Sequence, residues 1–195
     1  MKPEFWKSKD LLKNINFMLV NQKHGIAYTI ADECLAFTPS QGILDEQLCY
    51  DLGYKVYEAQ YGGGIIITDL GDIDIAYFGE VDNTFHNDFC NYFTEWLKSK
   101  GLDAEYFDND ILVDGYKISG NGVIRRSGMD YTVVHIGINT NLENIKKICT
   151  KPMKKIPKGL SEYGITSEEA INVFFEFCEN YEPFQEQQDE ILALK

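Results

Sequence analysis

Apolar and polar positions alternate in short blocks along most of this chain, and the blocks change period twice. Gly25 to Ile30 and Cys34 to Phe37 read as strands, with Pro39-Ser40-Gln41-Gly42 as a turn. Ile15 to Val20 is a short apolar run that fits a buried strand, while the first fifteen residues look helical or loose. Asp45 to Leu52 reads as a short helix closed by Gly53. Lys55 to Ala59 and Ile65 to Thr68 are strands on either side of Gly62-Gly63-Gly64. Ile73 to Phe78, where isoleucine and alanine alternate with aspartate, is expected at the wet face of a sheet.

The period then changes to that of a helix. Phe89, Tyr92, Phe93, Trp96 and Leu97 fall on one helical face, Gly101 supplies the stop, and the stripe reads as core rather than a cofactor box. Two strands follow, joined by Asp114-Gly115, a strong two-residue hairpin signal. Lys117 stands just after that turn. Asp130 to Ile138 is a further strand. The last helix begins at Thr166, where Thr166 and Glu169 form a capping box and Ile171, Phe174, Phe175 and Cys178 make the apolar face; Pro183 ends it. Strands, a helix, more strands and a final helix predict an α+β fold: a mixed or antiparallel sheet covered by helices. The 195 residues contain no repeat and no linker. They are expected to form one domain over residues 1–184, with a polar tail over 185–195.

Charge narrows the function classes. The net charge of −13 argues against a nucleic-acid partner, because phosphate binding needs a basic surface. The local exception runs from Lys146 to Lys158, where six lysines occupy thirteen residues. That cluster is either a solvated loop or a docking patch for an acidic protein or a phosphate. Arg125 and Arg126 are the only arginines. No apolar run is long enough to span a membrane, and the N-terminus lacks a signal-peptide core. The five scattered cysteines then read as reduced thiols, which points to the cytoplasm.

Three segments carry candidate chemistry. Gly62, Gly63 and Gly64, followed by Asp69-Leu70-Gly71, let backbone N–H groups approach an anion or a flat ligand. Asn109-Asp110 through Lys117-Ile118-Ser119-Gly120-Asn121-Gly122 places a lysine among glycines, and its ammonium can hold a carboxylate and a phosphate together while they react. His135, next to Asn139-Thr140-Asn141-Leu142, alternates with Val134 and Ile136; it is either a satisfied core group or a ligand contact.

Together, in their order and spacing from about Tyr50 to Thr166, these segments resemble the lipoate-protein ligases of the biotin/lipoate ligase superfamily. Lys117-Ile118-Ser119-Gly120-Asn121 is the most specific stretch. The resemblance implies the catalytic-domain fold of that superfamily. It also implies ATP-dependent activation of lipoate or octanoate as an acyl-adenylate, then transfer to a lysine of a lipoyl-carrier domain. In this sequence Lys117 takes the catalytic lysine's place and Gly62, Gly63 and Gly64 line the acyl tunnel. Asn109 and Asp110 stand near the nucleotide, with Asp110 as a magnesium ligand. Ser119, Gly120, Asn121 and His135 complete the ligand contacts. The chain departs from the family in four places. Glu58 and Ala59 replace an arginine pair, and Thr68 and Val133 occupy histidine positions. Arg125 or Arg126 is the candidate replacement for the lost phosphate-binding charge. Alternatives are a binding module that holds an acyl group, a nucleotide or a lipoylated carrier without turnover, a cysteine-dependent transferase using Cys149, and a biotin ligase.

Overall fold

The computed structural model describes residues 5–7, 25–38, 43–58, 65–80, 84–126 and 129–181. The chain opens with β1 (Phe5–Lys7) and β2 (Gly25–Ile30), which pair in parallel. Then come β3 (Leu35–Thr38), helix α1 (Glu46–Asp51), β4 (Lys55–Glu58), β5 (Ile66–Thr68) and β6 (Ile73–Glu80). Asp45 caps α1 by accepting the Leu48 N–H at 3.0 Å, and Gly53 leaves the helix at φ +87°. The expected looseness of the first fifteen residues is corrected at 5–7, which form a strand because β2 offers them an open edge. The run at 15–20, the triple glycine at 62–64, Pro183 and the tail at 185–195 lie outside the described residues.

Helix α2 (Phe85–Ser99) follows, then a meander of β7 (Ala104–Phe107), β8 (Asp110–Val113) and β9 (Tyr116–Lys117). Both of its turns need left-handed backbone at consecutive residues, at Asp108 and Asn109 (φ 53° and 61°) and at Asp114 and Gly115 (φ 51° and 79°). Asp, Asn and Gly are the residues that tolerate that geometry. The long hairpin of β10 (Ser119–Arg126) and β11 (Met129–Ile136), helix α3 (Leu142–Ile148), a 3₁₀ turn (Leu160–Tyr163) and helix α4 (Ser167–Asn180) complete the fold. The expected capping box at Thr166 and Glu169 is present.

The main sheet has the strand order β1-β2-β6-β11-β10, antiparallel except at its first pair. One face carries Ile26, Ile73, Ile75, Val134 and Ile136 into a core with α2 and α4. Phe89 and Phe174 meet there edge to face, with ring centroids 5.6 Å apart. Each such buried ring contributes about 1.5–3 kcal/mol by leaving water, so the aromatic stripe is core. A second sheet, β4-β3-β5, packs with α1 and α3 around Ala36, Cys49, Tyr54 and Ile148.

The expectation that β6 faces water is corrected. β6 is the middle strand of the five, and Ile73 to Ala76 are all buried. Asp74 points away from the helices into a covered region, where it meets Thr68 of β5 and His135 of β11. Its carboxylate is there to hold partners, not to contact solvent.

Candidate active site

The β8–β9 hairpin delivers Lys117. Ile118, just beyond it, ties the meander to the main sheet: its N–H donates to the Ile111 carbonyl, and its carbonyl accepts the Gly137 N–H, both at 2.8 Å. Ser119 is buried, and its hydroxyl accepts the Ile111 N–H at 2.9 Å. With the backbone pinned on both sides, the Lys117 ammonium reaches Asp110 Oδ1 at 2.9 Å. A Cβ at position 120 would lie 3.5 Å from Lys117 Nζ, in ordinary contact, so the ammonium lies over Gly120.

The other oxygen of Asp110 is taken by Lys155, at 2.8 Å. Lys155 also stands 3.6 Å from Asp108, and the Asp110 hydrogen bond raises its pKa, with Asp108 adding to the shift. The segment that carries Lys155 is held to β9 by backbone. The Lys117 N–H donates to the Ile156 carbonyl at 2.9 Å, and the Lys158 N–H to the Lys117 carbonyl at 3.0 Å. The lysine cluster at 146–158 therefore divides. Lys146 and Lys147 are exposed in the last turn of α3. Lys158 lies 4.2 Å from the Tyr163 ring centroid. Lys151, Lys154 and Lys155 join a cavity wall.

That cavity holds about 500 Å³. Ile66 and Ile67 from β5, Ile65 just before it and Ile145 from α3 form apolar wall, with Ile43 and Met153. The polar wall is Asp110, Lys117 and Ser119, the three lysines of the loop, and His135. Lys117, Asp110, Ser119, Gly120 and His135 are thus brought together. Asn109 and Asn121 are not among the lining residues. Asn109 is an exposed turn residue whose role is its left-handed backbone. Asn121 points to α2, where its amide donates to the Cys90 sulfur at 3.2 Å. Arg125 and Arg126 pair with Asp130 and Met129 at the closed end of the hairpin, six and seven positions from Ser119 along β10. At about 3.3 Å per residue their backbone stands roughly 20 Å from Ser119.

Beside the cavity lies an acidic hub that the sequence did not reveal. Asp72 is fully buried. Its Oδ1 accepts the N–H groups of Ile138 and Asn139 at 2.6 and 2.9 Å, and its Oδ2 accepts that of Asp69 at 2.8 Å. Asp69 accepts the Asn141 N–H at 2.7 Å and the Tyr54 hydroxyl. Burial pushes the Asp72 carboxyl up to about 6, against His135 and the three N–H groups that favour its charge. His135 Nδ1 lies 2.8 Å from Asp74 Oδ1, and Nε2 is 3.7 Å from Asp72 Oδ2. Burial lowers the imidazole pKa, but Asp74 and then Asp72 outweigh it, and Lys117 opposes them; the net shift is upward. The available sequence signal was one aspartate, Asp74, in an otherwise apolar strand, with Asp72 just before it.

Both oxygens of Asp110 are ion-paired to ammonium groups in this structure. Among the described residues no cluster of three or more His, Cys, Asp or Glu side chains is arranged to hold a metal. Cys149 lines the cavity, but burial raises its pKa, the reverse of what a thiolate nucleophile needs.

Residues 37–179 match the family model of the lipoyl protein ligase A/B catalytic domain. The chain belongs to that family. Two relatives are lipoate–protein ligase 1 of Staphylococcus aureus, 30% identical over 104 residues, and lipoate-protein ligase LplJ of Bacillus subtilis, 38% identical over 80 residues. These matches cover 51% and 39% of this chain but only 32% and 24% of those proteins. The lipoyl ligase fold is equally plain. A lipoate-protein ligase A solved with ATP superposes with a TM-score of 0.76 at 16% identity, over 92% of this chain and 85% of that one. The LipL1 protein of P. falciparum, solved with lipoate, gives 0.73 at 20% identity over 95% and 63%. A bi-partite lipoate protein ligase of Thermoplasma acidophilum, studied with its E2 lipoyl domain, gives 0.75 at 15% identity over 92% and 83%. Among the described residues, no helix of this member is long and apolar enough to cross a membrane.

Proposed function

We propose that this chain is an acyl–protein ligase domain that activates lipoate or octanoate with ATP and passes the acyl group to a lysine of a lipoyl-carrier domain. The observation that carries the reading is the Lys117–Asp110–Lys155 arrangement on the wall of a cavity lined by isoleucines. The isoleucines suit a hydrocarbon chain, and the ammonium groups suit a carboxylate and a phosphate. In the first step the acid's carboxylate oxygen attacks the α-phosphorus of ATP, and the bond to pyrophosphate breaks. Negative charge gathers on the phosphorus oxygens, and Lys117 and Lys155 are placed to neutralise it. Asp110 keeps the two cations together without cancelling them: two ammonium charges and one carboxylate leave a net positive charge. Lys151 and Lys154 add to it, so the loop, rather than Arg125 or Arg126, replaces the charge missing at Glu58 and Ala59. Any magnesium in this reading enters with the nucleotide, held mainly by its phosphates.

The test is native mass spectrometry after incubation with ATP and, in turn, lipoate, octanoate and biotin. Retained lipoyl- or octanoyl-AMP is the expected result. If the chain yields no adenylate with any of the three acids, the ligase reading fails and binding without turnover takes its place. Retained biotinyl-AMP would reassign the substrate.

A further inference from the structure

Attack on an acyl-adenylate requires a neutral amine, yet a lysine side chain near neutral pH carries a proton, with a pKa of about 10.4 in water. Lys117 and Lys155 repel an incoming ammonium, which favours its deprotonation, but some group must take the proton. The cavity wall offers few acceptors. Both oxygens of Asp110 are committed to ammonium groups, Asp108 is exposed beside Lys155, and Cys149 has its thiol pKa raised by burial.

His135 is different. It pairs with Gly120 across the β10–β11 ladder, and Gly120 is the residue over which the Lys117 ammonium lies, so the imidazole adjoins the catalytic lysine. Asp74 takes Nδ1 at 2.8 Å, which leaves Nε2 as the acceptor nitrogen of the neutral ring. Nε2 is beyond hydrogen-bond distance from Asp72, at 3.7 Å, and the ring lines the cavity. A histidine serving only the core would have both nitrogens committed and no face on a cavity.

We infer that His135 is the base of the transfer half-reaction, oriented by Asp74 and stabilised as imidazolium by Asp74 and Asp72. The inference rests on the ligase reading above. Nε2 accepts one proton from the carrier lysine's ammonium. The freed nitrogen lone pair attacks the acyl carbonyl carbon and the N–C bond forms. The bond from that carbon to the phosphate oxygen breaks, and AMP leaves with the electron pair. The second proton on nitrogen goes to the departing phosphate, giving the neutral amide. The groups facing the imidazole are Asp72 just before β6, Asp74 of β6 and Lys117 of β9. The carboxylates raise its basicity and the lysine tempers it, so transfer should increase with pH until the ring is neutral and then level off.

The experiment supplies octanoyl-AMP directly and follows single-turnover transfer in the full chain and in His135→Gln. Two acceptors are compared: an isolated E2 lipoyl domain, and hydroxylamine, which is already unprotonated at neutral pH and needs no base. Transfer to the lipoyl domain should fall on the order of 10²–10³-fold, and the plateau of its pH profile should be lost. Release by hydroxylamine should stay within a few-fold of the parent, which also shows that the variant is folded and holds the adenylate. Should His135→Gln fold poorly, His135→Ala with imidazole added to the buffer is the second test, and added imidazole should restore transfer. Equal losses with both acceptors, or no imidazole rescue, would overturn the assignment. A parent that uses supplied octanoyl-AMP but cannot make it leaves His135 as the base and removes the ATP-dependent step. A parent inert toward octanoyl-AMP removes both.

Discussion

The Lys155 ammonium lies 2.8 Å from the Asp110 carboxylate although 45 residues of chain separate them. This contact draws the loop after α3 over the Lys117 hairpin, and it makes the proposed phosphate site depend on a residue far along the chain. Lys117→Ala is expected to lower acyl-adenylate formation by about 10²–10³-fold, by analogy with loss of one preorganised charge-stabilising donor. Lys155→Ala should lower the rate less than Lys117→Ala and raise the KM for ATP as well, because Lys117 still reaches the reacting atoms. Pyrophosphate exchange, with thermal melts to show that both variants fold, separates these outcomes; a Lys117→Ala enzyme with parental exchange would contradict the site assignment.

The acidic hub gives a pH dependence with a defined sign. The His135 pKa is raised above 6.5, so its charge stabilises the fold fully below that value, and the contribution is lost as pH rises through the folded pKa. The Asp72 pKa is raised from 3.8 to about 6 by burial, so the cost of ionising it is absent at low pH and accumulates as pH rises between those values. In both cases the folded chain holds protons that the unfolded chain releases. Thermal midpoints should therefore fall as pH rises from about 4 to about 6 on account of Asp72, and fall further as pH rises through the His135 pKa; His135→Gln should flatten the second part of that slope. A parent midpoint that rises above pH 6.5 would be inconsistent with the His135 shift.

Periodicity made the helices and most strands legible because each buries one apolar stripe. The Asp114-Gly115 hairpin was legible because few residues accept its backbone angles. Lys117, Ser119 and Gly120 were singled out by the resemblance of their stretch to the lipoate-protein ligases, and the fold brings them to one cavity wall. Asp74 was misread, and Asp72 passed over, because an aspartate beside isoleucine looks the same whether it meets water or buried partners; only the neighbours from β5, β11 and the 138–141 turn decide. The split of the lysine cluster was equally hidden, since it depends on the pairing of Lys117 backbone with Ile156 and Lys158.

Gly159 tests how tightly the loop must close. A Cβ there would overlap the Ile138 carbonyl and lie 2.8 Å from the Thr140 N–H nitrogen, both of them backbone atoms that cannot swing aside. The same turn is fixed by the Leu160 N–H donating to the Gly137 carbonyl and by the Asp72 carboxylate. Gly159→Ala is expected to cost about 1–3 kcal/mol of stability by forcing a shift in a packed region. It should also reduce adenylate formation, because the segment just before it carries Lys155. Urea unfolding measures the first effect, and parental stability would show that the 138–141 turn yields freely.

Charge reversal at two places in the lysine cluster should separate carrier docking from phosphate binding. Lys146 and Lys147 are exposed at the C-terminal turn of α3, away from the Asp110 network, on a chain whose net charge is −13. An acidic carrier approaching this protein meets overall repulsion, so a local cationic turn governs the rate of encounter more than the strength of the final complex. Lys146→Glu with Lys147→Glu should slow association with the lipoyl domain and weaken its salt dependence, since screening has less attraction to remove. Adenylate formation should be unchanged. Lys151 and Lys154 line the cavity, so Lys151→Glu with Lys154→Glu should raise the KM for ATP and impair adenylate formation even when no carrier is present. Stopped-flow association at two salt concentrations, paired with pyrophosphate exchange, reads both effects. If the 146/147 variant loses exchange, or the 151/154 variant keeps it, the division of the cluster into a docking half and a phosphate half is wrong.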